Sequence, residues 1–235
     1  MKYYPISLGV RRVNWSAKGR APALVADIEK ATNAVFERDN HTCKCCGFRS
    51  EKWQQVLHLN GDTRDFSDKN TLTTCIFCHQ CFDLESVVKM ESGMLIWLPE
   101  MSQAELNTLM RAVHVSRRAQ GTMNKLAAQV NNTLYARGNE AKRRLGTDSP
   151  EALAIVMRDF LTAGEYQRAQ KNMEGIRLLP MAKRTVAMIN EQTGEPGTTN
   201  EFIQILNYWQ NHVYNDIPPQ NWTALFKEVD ALAAS

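Results

Sequence analysis

The chain carries two cysteine pairs of identical spacing, and little else in it narrows the possible folds as far. Cys43 and Cys46 enclose two residues, 28 residues follow, and Cys75 and Cys78 repeat the pattern. Two residues between thiolates let one tight turn aim both sulfurs at a common point. Two such turns complete a tetrahedron around an ion, with metal–sulfur distances near roughly 2.3 Å. Gly47 directly follows the first pair, where such a turn commonly needs a residue that tolerates positive φ. The spacing predicts one structural Zn2+ held by Cys43, Cys46, Cys75 and Cys78.

All six cysteines lie between positions 43 and 81. A disulfide framework would scatter them to staple distant loops, so clustering points to metal. Tetrahedral thiolate sites suit zinc or iron–sulfur chemistry. Cys75-x2-Cys78-x2-Cys81 resembles part of a ferredoxin ligand run, but Glu85 stands where the fourth cysteine would be. Cys45 and Cys81 read as packing residues.

The remaining composition describes an ordinary globular protein: 43% hydrophobic and 23% charged over 235 residues. A net charge of +3 is too small to argue for nucleic acid by itself. No apolar run approaches the roughly 18–20 residues that span a bilayer. The first residues, Met1 to Pro5, lack the apolar core of a signal peptide. The expected location is therefore cytoplasmic, with no direct membrane insertion.

Along the chain, residues 1–20 read as an extended arm. Leu24, Ile28, Ala31, Val35 and Phe36 recur at helical spacing up to Arg38, and Asn40 and His41 end that helix. Ser86 to Met90 and Met94 to Leu98 flank Glu91-Ser92-Gly93, which predicts a β-hairpin. Ser102 with Glu105 forms a capping box ahead of a helix near 103. Later segments near 123–145, 150–162, 165–174, 181–192, 200–214 and 221–233 read as helices. Gly146 to Pro150 supplies a stop, an N-cap and a proline at the first helical position. The expected fold class is α+β: a zinc-binding half over 1–100, then an α-helical half over 101–235, with 195–235 as additional C-terminal helices.

Around the cysteines the sequence resembles an HNH endonuclease finger. The matching residues are Arg38-Asp39, Cys43-x2-Cys46-Gly47, Val56-Leu57-His58, Lys69-Asn70 and Cys75-x2-Cys78-His79. The resemblance implies a treble-clef-like finger in which His58 is the general base, Asn70 orients it and His79 ligates a catalytic divalent metal. The family's other metal ligand precedes the base, and here that residue is Leu57. An isobutyl group offers no lone pair, and Mg2+ demands near-octahedral oxygen ligation. Asp62, Asp65 and Asp68 are the available substitutes. Without the ion, the scissile phosphate loses the charge stabilisation of metal-assisted hydrolysis. His58 and His79 equally suit structural roles on a strand and at a short helix.

Longer blocks are similar to the IcmJ/DotN family of type IVB secretion systems: Phe36 to Asp39, Cys46 to Phe48, Leu59 to Asp62, Cys81-Phe82, Glu85 to Val87, Leu98 to Glu100, Gln103 to Asn107 and Ile176 to Pro180. This resemblance implies a non-catalytic adaptor in a coupling complex. It would bind the C-terminal segment of the coupling ATPase and other subunits, aid substrate recruitment, and sit peripherally at the inner membrane through its partner. An HNH nuclease acting on DNA is the alternative, and a DNA-binding finger without catalysis is a third reading. Arg111, Arg117, Arg118, Lys125, Arg137, Lys142, Arg143 and Arg144 read as a solvated basic face rather than a nucleic-acid surface. Trp97, Leu98 and the helix from 103 are the expected lining of a partner groove. The tail aromatics Tyr208, Trp209, Tyr214, Trp222 and Phe226 read mainly as intramolecular packing.

Structural zinc can contribute on the order of 10 kcal/mol to folding. Cys75→Ser is therefore expected to yield insoluble protein or one that melts far below wild type. A soluble variant with an unchanged melting curve would remove the metal from the account.

Overall fold

A computed structural model describes residues 3–11, 25–118, 121–189, 194–214 and 222. The elements run α1 (Val25–Arg38), β1 (Gln54–His58), β2 (Thr71–Cys75), α2 (Ile76–His79), α3 (Leu84–Met90), β3 (Gly93–Trp97), α4 (Gln103–Ser116), α5 (Thr122–Ala136), α6 (Gly138–Leu145), α7 (Pro150–Ile155), α8 (Ala163–Asn172), β4 (Ile176–Pro180), β5 (Thr185–Ile189), β6 (Pro196–Asn200) and α9 (Phe202–Tyr208). A π-helical turn, Trp209–Val213, prolongs α9. The fold is α+β, with three antiparallel strand pairs among the described residues: β1 with β2, β3 with β4 and β5 with β6.

Local chemistry explains most boundaries. Asn40 and His41 take positive φ of 50° and 49° and close α1, and the His41 N–H reaches back to the Phe36 carbonyl. Ser102 and Glu105 form the reciprocal capping box of α4. Gly146, at φ 77°, stops α6, and Ser149 caps α7 with Pro150 in its first turn.

Two segments depart from expectation. The hairpin placed over 86–98 does not form, because residues 84–90 are helix α3. Asp83 caps α3 by accepting from the Ser86 N–H, and Leu84 and Val87, three residues apart, are fully buried. The β-prone run Ser86-Val87-Val88 yields to that cap and to helical burial. β3 pairs instead with β4, in the register Leu95 opposite Leu178, 83 residues downstream. The hairpin of the cysteine region is β1–β2, with Val56 opposite Thr73. The helix expected over 181–192 is also corrected. Residues 185–189 form β5 and pair with 196–200, so Thr185, Val186 and Ile189 follow their branched side chains into strand. The C-terminal helix expected over 221–233, with Phe226, lies outside the described residues, as do residues 12–20 of the arm. Residues 3–11 belong to no helix or strand.

Two apolar clusters meet across this frame. One gathers Cys43, Cys75, Cys78, Phe77, Leu106, Met110, Val113, Leu134, Phe202 and Trp209. The other gathers Leu8 and Val10 of the arm with Cys81, Leu84, Leu95, Met157 and Leu178. The arm is fastened at both sides: Gly9 exchanges backbone hydrogen bonds with Cys81 and Leu84, and the Tyr166 hydroxyl of α8 bonds both Val10 backbone groups. The side chain of Gln103 pairs with the backbone N–H and C=O of Leu178, each at 2.8 Å, fixing α4 on β4.

Gly175, just before β4, has φ +88°, and a Cβ there would come within 2.5 Å of the Trp97 ring. Left-handed backbone and overpacking together give Gly175→Ala a cost of roughly 3 kcal/mol. The expected fall in melting temperature is on the order of 10 °C. A thermal melt within a degree of wild type would refute this packing.

Candidate metal centre

The first cysteine pair sits on a tight knuckle. Gly47 turns it at φ +75°, its N–H donates to the Cys43 carbonyl at 2.9 Å, and the Cys43 N–H donates to the Phe48 carbonyl at 2.9 Å. The Lys44 N–H bonds the Thr73 carbonyl, holding the knuckle against β2. The second pair straddles the end of β2 and the short helix α2, with Cys75 at the cap and Cys78 in the helix. Knuckle, hairpin and helix start are the parts of a treble clef, and they bring the four sulfurs to one point.

Those sulfurs lie within 4.8 Å of one another. A regular tetrahedron with Zn–S near 2.3 Å has sulfur–sulfur edges of about 3.8 Å; Cys46 and Cys75 are 3.8 Å apart. A second observation concerns charge. Arg111 of α4 is only 1% exposed, and no carboxylate is paired with it among the described residues. Its Nη1 and Nη2 lie 3.4 Å from the Cys75 sulfur and 3.5 Å from the Cys46 sulfur. An isolated buried cation is costly, so this guanidinium fits sulfurs that are anionic, as metal-bound thiolates are. Burial opposes the charge of Arg111, and the neighbouring sulfurs restore it. Asn107 adds a hydrogen bond from Nδ2 to the Cys78 sulfur at 3.3 Å. Cys45 and Cys81 are buried. Cys81 donates to the Phe77 carbonyl at 3.2 Å, and burial pushes its thiol up to about 12.

Arg111, expected on a solvated basic face, is instead buried. Asn107 and Arg111, one turn apart, interrupt the apolar stripe of Leu106, Met110 and Val113; polar residues inside a buried stripe were the available signal. Lys125, Lys142 and Arg143 of the same list are exposed, and Arg143 and Arg144 pair with Glu140. Leu98 and most of α4 are core residues, so α4 is a buried strut rather than a groove wall. Trp97 is covered by the Arg144 guanidinium, 3.8 Å from its ring centroid.

The histidines come together with altered surroundings. His58 and His79 line one cavity of about 40 Å3 with Leu57, Thr63 and Arg11. Arg11 lies there through its ion pair with buried Asp83 at 2.9 Å. Burial pushes the His79 imidazole down to about 4 and lowers that of His58. The ring of His58 meets Phe66 edge-on at 4.9 Å. Asn70 is not brought onto His58: its Oδ1 accepts the Asn60 N–H at 2.9 Å and its Nδ2 donates to the Asp65 carbonyl at 2.8 Å. Asp62 accepts from the Arg64 N–H, Asp65 from Asn60 and Ser67, and Asp68 pairs with Arg38. Among the described residues, the one grouping of three or more metal-type side chains is the four cysteines.

The chain is 35% identical over 150 residues to the type 4 apparatus protein DotN of Legionella pneumophila subsp. pneumophila, covering 62% of this chain and 70% of that protein. The chain belongs to the IcmJ/DotN family. No protein-family model matches it. Among the described residues, no helix is long and apolar enough to cross a membrane.

One block quoted for the family, Phe36 to Asp39, has a clear structural duty beside the knuckle. Asp39 is 5% exposed; it accepts from Arg38 and from the Thr73 N–H, and pairs with Lys44 at 3.2 Å. Burial raises its pKa, but the bonds from Arg38, Thr73 and Lys44 outweigh that and hold it at about 2. A depressed native value gives stability that is complete above the unfolded carboxylate's value near about 4 and is lost as pH falls toward 2. Asp39→Asn is therefore expected to lower stability by on the order of 2 kcal/mol, and denaturant titrations should find that gap constant between pH 8 and pH 5. A gap that closes within that range would rule out this clamp.

Proposed function

We propose that this chain is a zinc-stabilised, non-catalytic adaptor subunit of a type IVB secretion or conjugation coupling complex. It binds the C-terminal segment of the coupling ATPase together with other subunits and aids substrate recruitment. One Zn2+, held by Cys43, Cys46, Cys75 and Cys78, fixes the fold and takes no part in chemistry. The protein acts in the cytoplasm and reaches the inner membrane through its partner. The observation that carries this reading is the similarity to a type 4 apparatus protein over most of that protein's length. The side chain before His58 supports it: Leu57 is buried and offers no donor where a hydrolytic finger would hold its second ion.

A nuclease reading draws on a specific observation of its own. His58 and His79 face one cavity, and the His58 Nε2 is buried without a hydrogen-bond partner among the described residues. The two readings separate in paired assays. The full chain with an affinity tag is expected to retain the coupling ATPase's C-terminal segment in a pull-down. It is also expected to leave supercoiled plasmid intact in Mg2+, Mn2+ or Ni2+. Metal-dependent nicking that disappears in His58→Ala, with no retention of the segment, would replace the adaptor by the enzyme.

A further inference from the structure

Helix α4 brings two polar side chains into an otherwise apolar interior, and both end on sulfur. Asn107 donates to Cys78, and Arg111 to Cys75 and Cys46, so three of the four sulfurs receive an N–H from this one helix. The guanidinium is held from two further directions. Its Nη2 also donates to the Thr108 hydroxyl at 2.9 Å, and the Phe48 ring lies beneath it, 4.3 Å from Cζ to centroid. Phe48 packs in turn against Trp209 and Tyr214, at 5.5 and 6.3 Å between centroids. Arg111 is thus positioned by the finger and by the chain's last described helix together.

Four thiolates around one Zn2+ sum to two negative charges, and burying such a group uncompensated is expensive. A cation at this place neutralises half of that charge. Hydrogen bonds to sulfur also withdraw electron density from the lone pairs that a proton or a competing ligand would attack. Outer partners of this kind orient metal ligands and change metal affinity by about 10- to 100-fold.

We propose that Arg111 and Asn107 are positioning residues for the zinc thiolates, and that α4 holds the site against ligand exchange. The inference rests on the four-cysteine zinc reading above. Arg111→Met removes the charge and both N–H donors at similar length. Arg111→Lys keeps the charge but loses the planar fork that reaches two sulfurs at once. Asn107→Leu removes the third donor.

The test measures zinc content by plasma mass spectrometry, then the rate of zinc transfer to excess 4-(2-pyridylazo)resorcinol at pH 7.5. Leu134→Ala, a deletion in the same core with no hydrogen bond to sulfur, serves as the stability control. The expected result is one zinc per chain throughout, with release accelerated about 10- to 100-fold in Arg111→Met. Arg111→Lys and Asn107→Leu should fall between it and wild type, and Leu134→Ala should stay within about twofold of wild type. If Arg111→Met proves insoluble, the Lys and Asn107 variants read the same rate. Zinc-loaded wild type with Arg111 and Asn107 variants no faster than Leu134→Ala would overturn this inference and leave the metal site standing. Wild type without zinc would overturn the metal site itself.

Discussion

A buried guanidinium facing clustered sulfurs is the interaction around which the rest of this molecule is arranged. Among the described residues no carboxylate is paired with Arg111, and the sulfurs of Cys75 and Cys46 are what its guanidinium faces. Neither group is tolerable alone in a dry interior. Bringing them together requires α4 to lie across the finger, and the elements that fix α4 follow from that need. The capping box starts the helix, Gln103 anchors it to β4, and the aromatic set Phe77, His114, Phe202 and Trp209 closes over it with centroids 5.2–6.0 Å apart. The tail aromatics Trp209 and Tyr214 find their packing here, within the chain.

The pocket beside the finger shows how a chain can keep the letters of a motif while redistributing their work. Asn70 spends its amide on shaping the loop between β1 and β2. Asp62 and Asp65 accept loop N–H groups, and Arg11 enters with its own partner, Asp83. His58 and His79 still share a cavity, now walled by Leu57 and Phe82. Asn70, Asp62 and Asp65 each hold local bonds that a divalent ion would have to displace.

What was legible in the sequence was what depends on near neighbours. The cysteine spacing encodes the knuckle and the helix start directly. Asn40-His41, Ser102 with Glu105, and Gly146 to Pro150 all announced helix ends by chemistry acting within a turn. The failures share the opposite property. Residues 94–98 read as strand, and β3 forms over Gly93–Trp97, but Leu95 faces Leu178, 83 residues away, where local pattern offers only the neighbouring apolar run that Asp83 caps as a helix. Residues 185–189 took helix from their surroundings, although Thr185, Val186 and Ile189 preferred strand. Arg111 reads with the exposed arginines because charge runs are usually solvated, and its place inside the apolar stripe of α4, one turn from Asn107, is what tells it apart from Arg117.

The β3–β4 ladder carries an implication for biosynthesis. Met94 and Ile96 emerge from the ribosome long before Leu179 and Arg177, which lie opposite them in the ladder, exist to pair with them. Until then the nascent polypeptide presents a bare apolar edge, the kind that invites pairing with a neighbouring chain. Residence of that edge in the open is set by the time needed to translate four intervening helices and α8.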